Sequence, residues 1–348
     1  MITAISSPNS AWIKYWGNRN DELRLPMADS FSMTLDGPAV EIDIEHSGEL
    51  LVRSFHTDGT EKELKEKDSA RFGKTLEKAK TYLGEIGAGN AIPASVSIVI
   101  RSNIPPAIGL ASSAAVFSCF ARAIQGLIAP AVELTDGQTS VIARLGSGSA
   151  GRSIHSGFVA LRAGKGEGIG SSYGEQIADE NHWTLFDIII VPEMTEKKVG
   201  STEGHATAGT SPHFKNRIDA ITKRRQQECI DAVLKKDFEK LAKVCEEDCL
   251  DMHKVVQTSD PPLNYLTEDT HRITNGIIEL RQSEHLPVFY TMDAGATVQL
   301  LCTEEAVERV REFAYAQEEC RVFEAKTGTG AYLLTNNGNI IQNSKFKI

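Results

Sequence analysis

The stretch from residue 96 to 115 constrains this chain more than any other. Val96–Ile100 has apolar residues at every second position, 96, 98 and 100, the pattern of a strand with one buried face. Asn103-Ile-Pro-Pro-Ala-Ile-Gly-Leu-Ala-Ser-Ser-Ala-Ala115 follows, and its last residues open a helix expected over Leu110–Ile128. A strand, a loop turning at Gly109 and a helix start built of Ala111, Ser112, Ser113 and Ala114 leave free N–H groups with no bulky side chain in the way. The dipole of such a helix favours an anion, and the serines add hydroxyls that could donate or reach Mg²⁺. No Gly-Lys-Ser/Thr follows, so this is not a Walker A loop. A close helix crossing explains the small residues equally well, so these residues alone leave the two readings even.

The other elements follow from periodicity and punctuation. Val40–Glu45 and Leu50–Phe55 read as strands, and Ser69–Ile86 as a helix presenting Phe72, Leu76, Ala79 and Leu83 on one face. Thr135 can cap a helix running to about Arg144, and Gly157–Leu161 and Leu185–Val191 read as strands. Beyond Pro192 polar helices dominate, over Pro212–Leu234, Asp237–Met252 and Leu263–Gln282. Strands at Val288–Met292 and Val298–Cys302 and a helix from Glu304 to about Gln317 complete the pattern. The class is α+β in both halves, with a boundary expected between residues 185 and 195.

Composition excludes several functions. A formal net charge of −10 over 348 residues argues against a general nucleic-acid grip, which needs a clustered basic face. No stretch approaches the length of an apolar membrane span, and Met1–Pro8 lacks the basic-then-apolar pattern of a secretory signal. The cysteines at 119, 229, 245, 249, 302 and 320 are scattered. Cys245 and Cys249 stand one helical turn apart without a second Cys/His pair of matching spacing, so they read as incidental thiols in a reducing cytoplasm.

Three further segments carry candidate chemistry. In Asn9-Ser-Ala-Trp-Ile-Lys-Tyr-Trp-Gly-Asn18, alternation from Trp12 to Trp16 suits a strand with Lys14 and Trp16 on one face. Lys14, Tyr15 and Trp16 together can neutralise and orient a phosphorylated small molecule. In Gly146-Ser-Gly-Ser-Ala-Gly-Arg-Ser153, backbone N–H groups and hydroxyls could cradle an anion where a helix begins, while Arg152 grips a carboxylate in a fork. In Tyr290-Thr-Met-Asp-Ala-Gly295, Asp293 ends an apolar strand and meets a glycine turn. By itself that aspartate reads as a turn former.

The segment Pro105-x-x-x-Gly109-Leu-Ala-Ser-Ser-Ala114 resembles the ATP loop of the GHMP kinase superfamily. Ile13-Lys-Tyr-Trp-Gly17, Gly146-Ser-Gly-Ser149 with Arg152-Ser153, and Thr291-x-Asp-Ala-Gly295 resemble the signatures of its mevalonate diphosphate decarboxylases. A weaker match is Gly200-Ser-Thr-Glu-Gly-His205 ahead of Thr210-Ser-Pro212. These matches run in family order from residue 9 to 295.

The resemblance implies a GHMP kinase fold. Its N-terminal ATP-binding domain (1–187) would be like ribosomal protein S5 domain 2, and its C-terminal domain (188–348) a ferredoxin-like α/β sandwich, commonly in a homodimer. ATP would bind through Pro105, Gly109, Leu110, Ala111, Ser112, Ser113 and Ala114, with Mg²⁺ near Ser112 and adenine contacts between residues 56 and 105. Asp293 would be the catalytic aspartate, Lys14 its neighbour, and Arg152 the holder of the mevalonate carboxylate. Asn9, Tyr15, Trp16, Asn18, Ser147, Gly148, Ser149, Ser201 and His205 would line the substrate. The family reaction phosphorylates the tertiary 3-hydroxyl and then expels phosphate and CO₂ to leave an alkene.

The chain departs from that pattern at Asn18, where the family has a second lysine that contacts the substrate's diphosphate. It departs also at His205, usually Met, and at Ala296-Thr297, usually Pro-Asn. With one positive charge fewer, the expected substrate is (R)-mevalonate 5-phosphate, giving isopentenyl phosphate. The alternatives are the 5-diphosphate, giving isopentenyl diphosphate, and a mevalonate 3-kinase that does not decarboxylate. Retention of Lys14, Arg152 and Asp293 counts against the kinase.

Overall fold

The computed structural model describes residues 1–56, 58–104, 112–192, 200–334 and 340–341. Strand β1 (Ile2–Ser6) lies in a seven-stranded sheet with β6 (Val40–His46), β7 (Leu51–Phe55), β8 (Glu61–Lys62), β9 (Val96–Ser102), β16 (Tyr332–Leu334) and β17 (Ile340–Ile341). The order is β17-β16-β1-β6-β9-β7-β8, antiparallel except for the parallel pair β7 and β9. Alternation in β6 and β9 points Val40, Ile42, Ile44, Val96, Ile98 and Ile100 to one face. Helices α1 (Glu66–Glu85), α2 (Ser112–Ile128) and α3 (Asp136–Gly146) cover that face, packing Phe72, Leu76, Phe120 and Ile124 onto it. Thr135 closes a capping box with Gln138 at the start of α3, as its sequence position predicts.

A four-stranded sheet follows, in the order β11 (Tyr173–Ala178), β10 (Phe158–Arg162), β5 (Ser30–Thr34) and β2 (Asn9–Ile13). A second has the order β13 (Val288–Thr291), β14 (Val298–Cys302), β12 (Phe186–Pro192) and β15 (Cys320–Lys326). A short hairpin, β3 (Asn18–Asn20) with β4 (Leu25–Pro26), sits beside the site described below. Trp12, fully buried, joins the two four-stranded sheets: its indole lies 6.1 Å from the Phe31 ring, 5.8 Å from Phe158 and 5.9 Å from Phe289. The polar helices of the second half are α4 (Ser201–Thr207), α5 (Phe214–Ala220), α6 (Gln226–Lys235), α7 (Phe238–Gln257), α8 (Glu268–Glu284) and α9 (Val307–Tyr315). Among the described residues no helix is long and apolar enough to cross a membrane.

Several expectations change in detail; the helix read from Leu263 starts at Glu268, where Thr267 caps it. The strand read over Trp12–Trp16 stops at Ile13, after an irregularity in its pairing with β5, because the Lys14 N–H turns to a side chain instead of a neighbouring strand. The helix read over Pro212–Leu234 is broken into α5, a π turn over Ile221–Arg225, and α6. The helix start read at Gly146–Ser153 is a single 3₁₀ turn, Gly148–Gly151.

Candidate active site

The cleft between the two halves gathers residues from both ends of the chain. Lys14, immediately after β2, places Nζ 2.6 Å from Asp293 Oδ1, which follows β13. The lysine is 2% exposed and the carboxylate 24%, so the ammonium is enclosed while the carboxylate still opens to a ligand. The backbone of Lys14 is fixed from below. Its N–H donates to Asp248 Oδ2 at 2.7 Å, and its carbonyl accepts from Arg217 Nη2 at 2.8 Å. Arg217 and Asp248 pair with each other at 2.8 Å, and Arg225 reaches the other Asp248 oxygen at 3.2 Å. All of these are buried. On the far side of Asp293, the Met292 N–H donates to Cys249 Sγ at 3.2 Å. Pairing lets charges persist out of water.

Arg152 lies just past the 3₁₀ turn and is buried. Its Nε and Nη2 donate to Asn9 Oδ1 at 3.2 and 3.0 Å, and Nη1 donates to Ser30 Oγ at 2.6 Å. Asn9 is held in turn by donating to Ser153 Oγ at 2.8 Å and to the Ser149 carbonyl at 3.1 Å. Burial lowers the guanidinium to about 10, against which the Asp293 and Tyr15 charges act, so it stays cationic at neutral pH. The fork expected of Arg152 is thus aimed by neutral partners, and a substrate carboxylate would complete its charge balance.

At the other end, half-buried Tyr15 lies over Gly148, where a Cβ would come 2.2 Å from the ring. Its hydroxyl donates to Asn18 Oδ1, and Asn18 Nδ2 donates to Asp21 Oδ1 at 2.8 Å. Burial pushes the phenol up to about 12, opposed first by the charge of Arg24. The His205 ring stacks between Tyr15 (4.7 Å) and Trp16 (4.5 Å), and its Nδ1 accepts from the Gly17 N–H at 3.0 Å. Burial drives that imidazole down to about 3, with Arg24 and Arg217 adding to the effect, so it is a neutral wall of the pocket. Gly17 needs to be glycine, since φ is +94° and a Cβ would meet the Phe214 ring at 2.4 Å.

The expected phosphate loop is only partly visible. Pro105, Gly109, Leu110 and Ala111 lie outside the described residues. Ser112, Ser113 and Ala114 form the first turn of α2, with Ser112 exposed and Ala114 buried. The Ser113 hydroxyl is 3.0 Å from that of Ser147, which is 3.5 Å from that of Ser149. A line of hydroxyls therefore runs from the start of α2 to the loop holding Arg152. Among the described residues no cluster of three or more His, Cys, Asp or Glu could cage a metal. That donor set fits a Mg²⁺ carried on nucleotide phosphates beside a Ser112 hydroxyl better than a protein-bound ion. Ser201 begins α4, and its side chain lies outside the described set.

Several residues that build the site carried no usable sequence signal. Asp248 and Arg217 sit on helices that read as ordinary polar faces, and Ser30 is one serine among many. Arg71 donates through Nε and Nη2 to the Gly146 carbonyl at 2.9 and 2.7 Å, beside the glycine-serine loop. Asp187 on β12 is fully buried near Lys14 and Asp293, and burial raises its carboxyl to about 7.

Comparison with known proteins identifies the family. The family model for the diphosphomevalonate decarboxylase-like N-terminal domain matches residues 6–173, and that for the mevalonate 5-diphosphate decarboxylase C-terminal domain matches residues 187–337. Diphosphomevalonate decarboxylase of Danio rerio is 34% identical over 329 residues, covering 90% of this chain and 80% of that protein. The crystal structure of mevalonate diphosphate decarboxylase from Staphylococcus aureus superposes with a TM-score of 0.84 at 27% identity, over 96% of this chain and 99% of that one. A structure described as MDDEF in complex with MVAPP, AMPPCP and magnesium gives 0.83 at 26% identity, over 96% and 98%. The fold is that of the GHMP kinases, α+β in both halves. Within that superfamily the chain belongs to the mevalonate diphosphate decarboxylase family of ATP-dependent decarboxylases.

Proposed function

We propose that this enzyme decarboxylates (R)-mevalonate 5-diphosphate, consuming ATP with Mg²⁺ and releasing isopentenyl diphosphate, ADP, phosphate and CO₂. The observation that carries the reading is the enclosed Lys14–Asp293 pair at 2.6 Å, with Arg152 held close enough to feel the Asp293 charge. The names of the relatives favour the diphosphate over the monophosphate expected from Asn18.

A tertiary hydroxyl is a poor nucleophile. The open side of Asp293 can accept its proton as the oxygen takes the γ-phosphoryl group. Lys14, unable to leave because its backbone is clamped by Asp248 and Arg217, offers fixed positive charge to the moving phosphoryl. Ser112 and Ser113 would hold the nucleotide phosphates and their Mg²⁺, which neutralises charge on the transferred group. In the second stage the C–O bond to the new phosphate breaks and its electron pair leaves with the phosphate. The bond between the substrate's carboxyl carbon and C2 then supplies the pair that forms the alkene. Arg152 orients the carboxylate so that this bond is aligned to break. Tyr15, Asn18, His205 and the nearby arginines would receive the 5-diphosphate.

A second reading, the 5-monophosphate, is favoured by one observation. Asn18 brings no charge, and its carboxamide ties the Asp21 carboxylate to the pocket rim. Parallel measurement of CO₂ release from both substrates, with products identified by mass, decides between them. A higher kcat/KM for the diphosphate is the expected outcome; a higher value for the monophosphate would replace the first reading with the second.

A further inference from the structure

Resting on that reading, we propose that Arg24 grips the distal phosphoryl group of the substrate, supplying from the β3–β4 hairpin the positive charge that Asn18 does not. The residue is unusual in its backbone. Arg24 has φ +51°, a left-handed conformation that residues other than glycine enter rarely, and it lies in a turn closed by its N–H donating to the Asp21 carbonyl at 3.3 Å. Nothing about an arginine favours that conformation, so the surroundings impose it. Buried Arg144 does so, donating through Nη1 to the Leu23 carbonyl and, at 3.2 Å, to the Arg24 carbonyl. The enforced turn aims the side chain back towards α3, where Nε donates to the Leu145 carbonyl at 3.2 Å.

The next carbonyl along, that of Gly146, is taken by Arg71. Two guanidiniums therefore stand side by side on consecutive main-chain oxygens, beside the glycine-serine loop. They are close enough that the charge of Arg24 helps lower Arg71 to about 10, after the larger effect of burial. Of the charged groups acting on the Tyr15 hydroxyl and the His205 ring, Arg24 is the strongest in both cases. Both arginines spend their hydrogen bonds on carbonyls rather than carboxylates, and Asp21, the acid beside Tyr15, is held by Asn18. Like charges gathered in a half-buried wall without carboxylate partners are stabilised by an anionic ligand. Tyr15 packs on Gly148, two residues beyond the Gly146 carbonyl that Arg71 holds, and the charge of Arg24 acts on the Tyr15 hydroxyl, so the two arginines and the Tyr15–Asn18 pair are neighbours.

The plainer role for Arg24 is to complement the C-terminal carbonyls of α3. The experiment must separate the two. Dissociation constants of (R)-mevalonate 5-diphosphate and 5-phosphate are measured calorimetrically without nucleotide for wild type, Arg24→Gln and Asn18→Lys/Arg24→Gln, with thermal midpoints alongside. Glutamine keeps an uncharged donor for the Leu145 carbonyl. The expected result for Arg24→Gln is a loss of about tenfold or more in diphosphate affinity with less than about threefold for the monophosphate. Asn18→Lys in the same background should recover most of that loss. Equal weakening of both ligands, or none, overturns the proposal, and a lowered thermal midpoint would then assign Arg24 to capping. CO₂ release by wild type is scored separately. Tight diphosphate binding without turnover sinks the proposed reaction while the affinity ratio still judges Arg24; binding of neither ligand overturns both.

Discussion

The two ends of the cleft solve the problem of buried charge in opposite ways. At Lys14 and the clamp beneath it each charge is matched: Asp293 pairs with the ammonium, and Asp248 lies between Arg217 and Arg225. Around Tyr15 the cations Arg24, Arg71 and Arg144 meet carbonyls and rings, with no carboxylate in hydrogen-bonding reach among the described residues. A matched set is rigid and holds its geometry without ligand, which suits groups that must act in a transition state. An unmatched set waits for an anion, which suits recognition of a substrate's phosphates. Substitutions at the first end should therefore cost turnover or folding, and those at the second should cost affinity.

The largest effect is expected at Asp293. Asp293→Asn should lower kcat for CO₂ release by about 10²–10⁴-fold, while nucleotide affinity stays within about threefold of wild type. Turnover near the wild-type rate would remove Asp293 from the chemistry. Next comes the clamp under Lys14. Asp248→Asn leaves Arg217 and Arg225 buried beside a neutral amide and should cost about 3–5 kcal/mol of stability, read from denaturant unfolding. A loss below about 1 kcal/mol would show that the network is not what holds Lys14 in place.

At the phosphate end the signature should differ in kind. Arg71→Gln should raise KM for the diphosphate by about ten- to a hundredfold with kcat changed by less than about threefold, because a contact with phosphates remote from the reacting carbon would be present equally in ground and transition states. A fall in kcat with KM unchanged would make Arg71 part of the reacting centre and break the contrast between the ends.

Much of this was legible beforehand, for reasons that differ by residue. Helix α3 announced itself through Thr135, a local capping signal, and β14 was expected over the Val298–Cys302 it occupies. The decarboxylase family was legible because several motifs stand in one order. The Lys14–Asp293 contact, across 279 residues, was reachable only through that resemblance. The end of β2 at Ile13 was not legible, since it depends on a tertiary partner, Asp248, that nothing local announces. Arg24 and Arg71 escaped notice because an arginine on a polar hairpin or helix reads as a solvated charge until the neighbouring carbonyls are seen. The monophosphate expectation rested on the charge missing at Asn18, while the names of the relatives favour the diphosphate.

The last test concerns a group that belongs to neither end. Asp187 is buried behind Lys14 and Asp293, and neither of its oxygens has a hydrogen-bond partner among the described residues; the nearby Ser10 hydroxyl goes to Gln299 Oε1 at 2.5 Å. Burial, the dominant influence, and the Asp293 charge raise its carboxyl from 3.8 to about 7, against the Ser10 hydroxyl and the Lys14 charge. The folded protein therefore keeps this proton up to about pH 7, while the unfolded chain loses it near pH 4. Stability from this group is complete below about pH 4 and is lost as pH rises towards 7, by at most about 4 kcal/mol. His205 and His253 act with the opposite sign, since burial lowers them to about 3 and about 4, so their contribution is lost as pH falls below about 6.5. Only the difference between variant and wild type isolates Asp187. Asp187→Asn should gain stability over wild type progressively from pH 4 to pH 7 and hold a constant advantage above that. A gap that does not change with pH would mean that Asp187 is ionised throughout, and that the Lys14 ammonium serves two carboxylates rather than one.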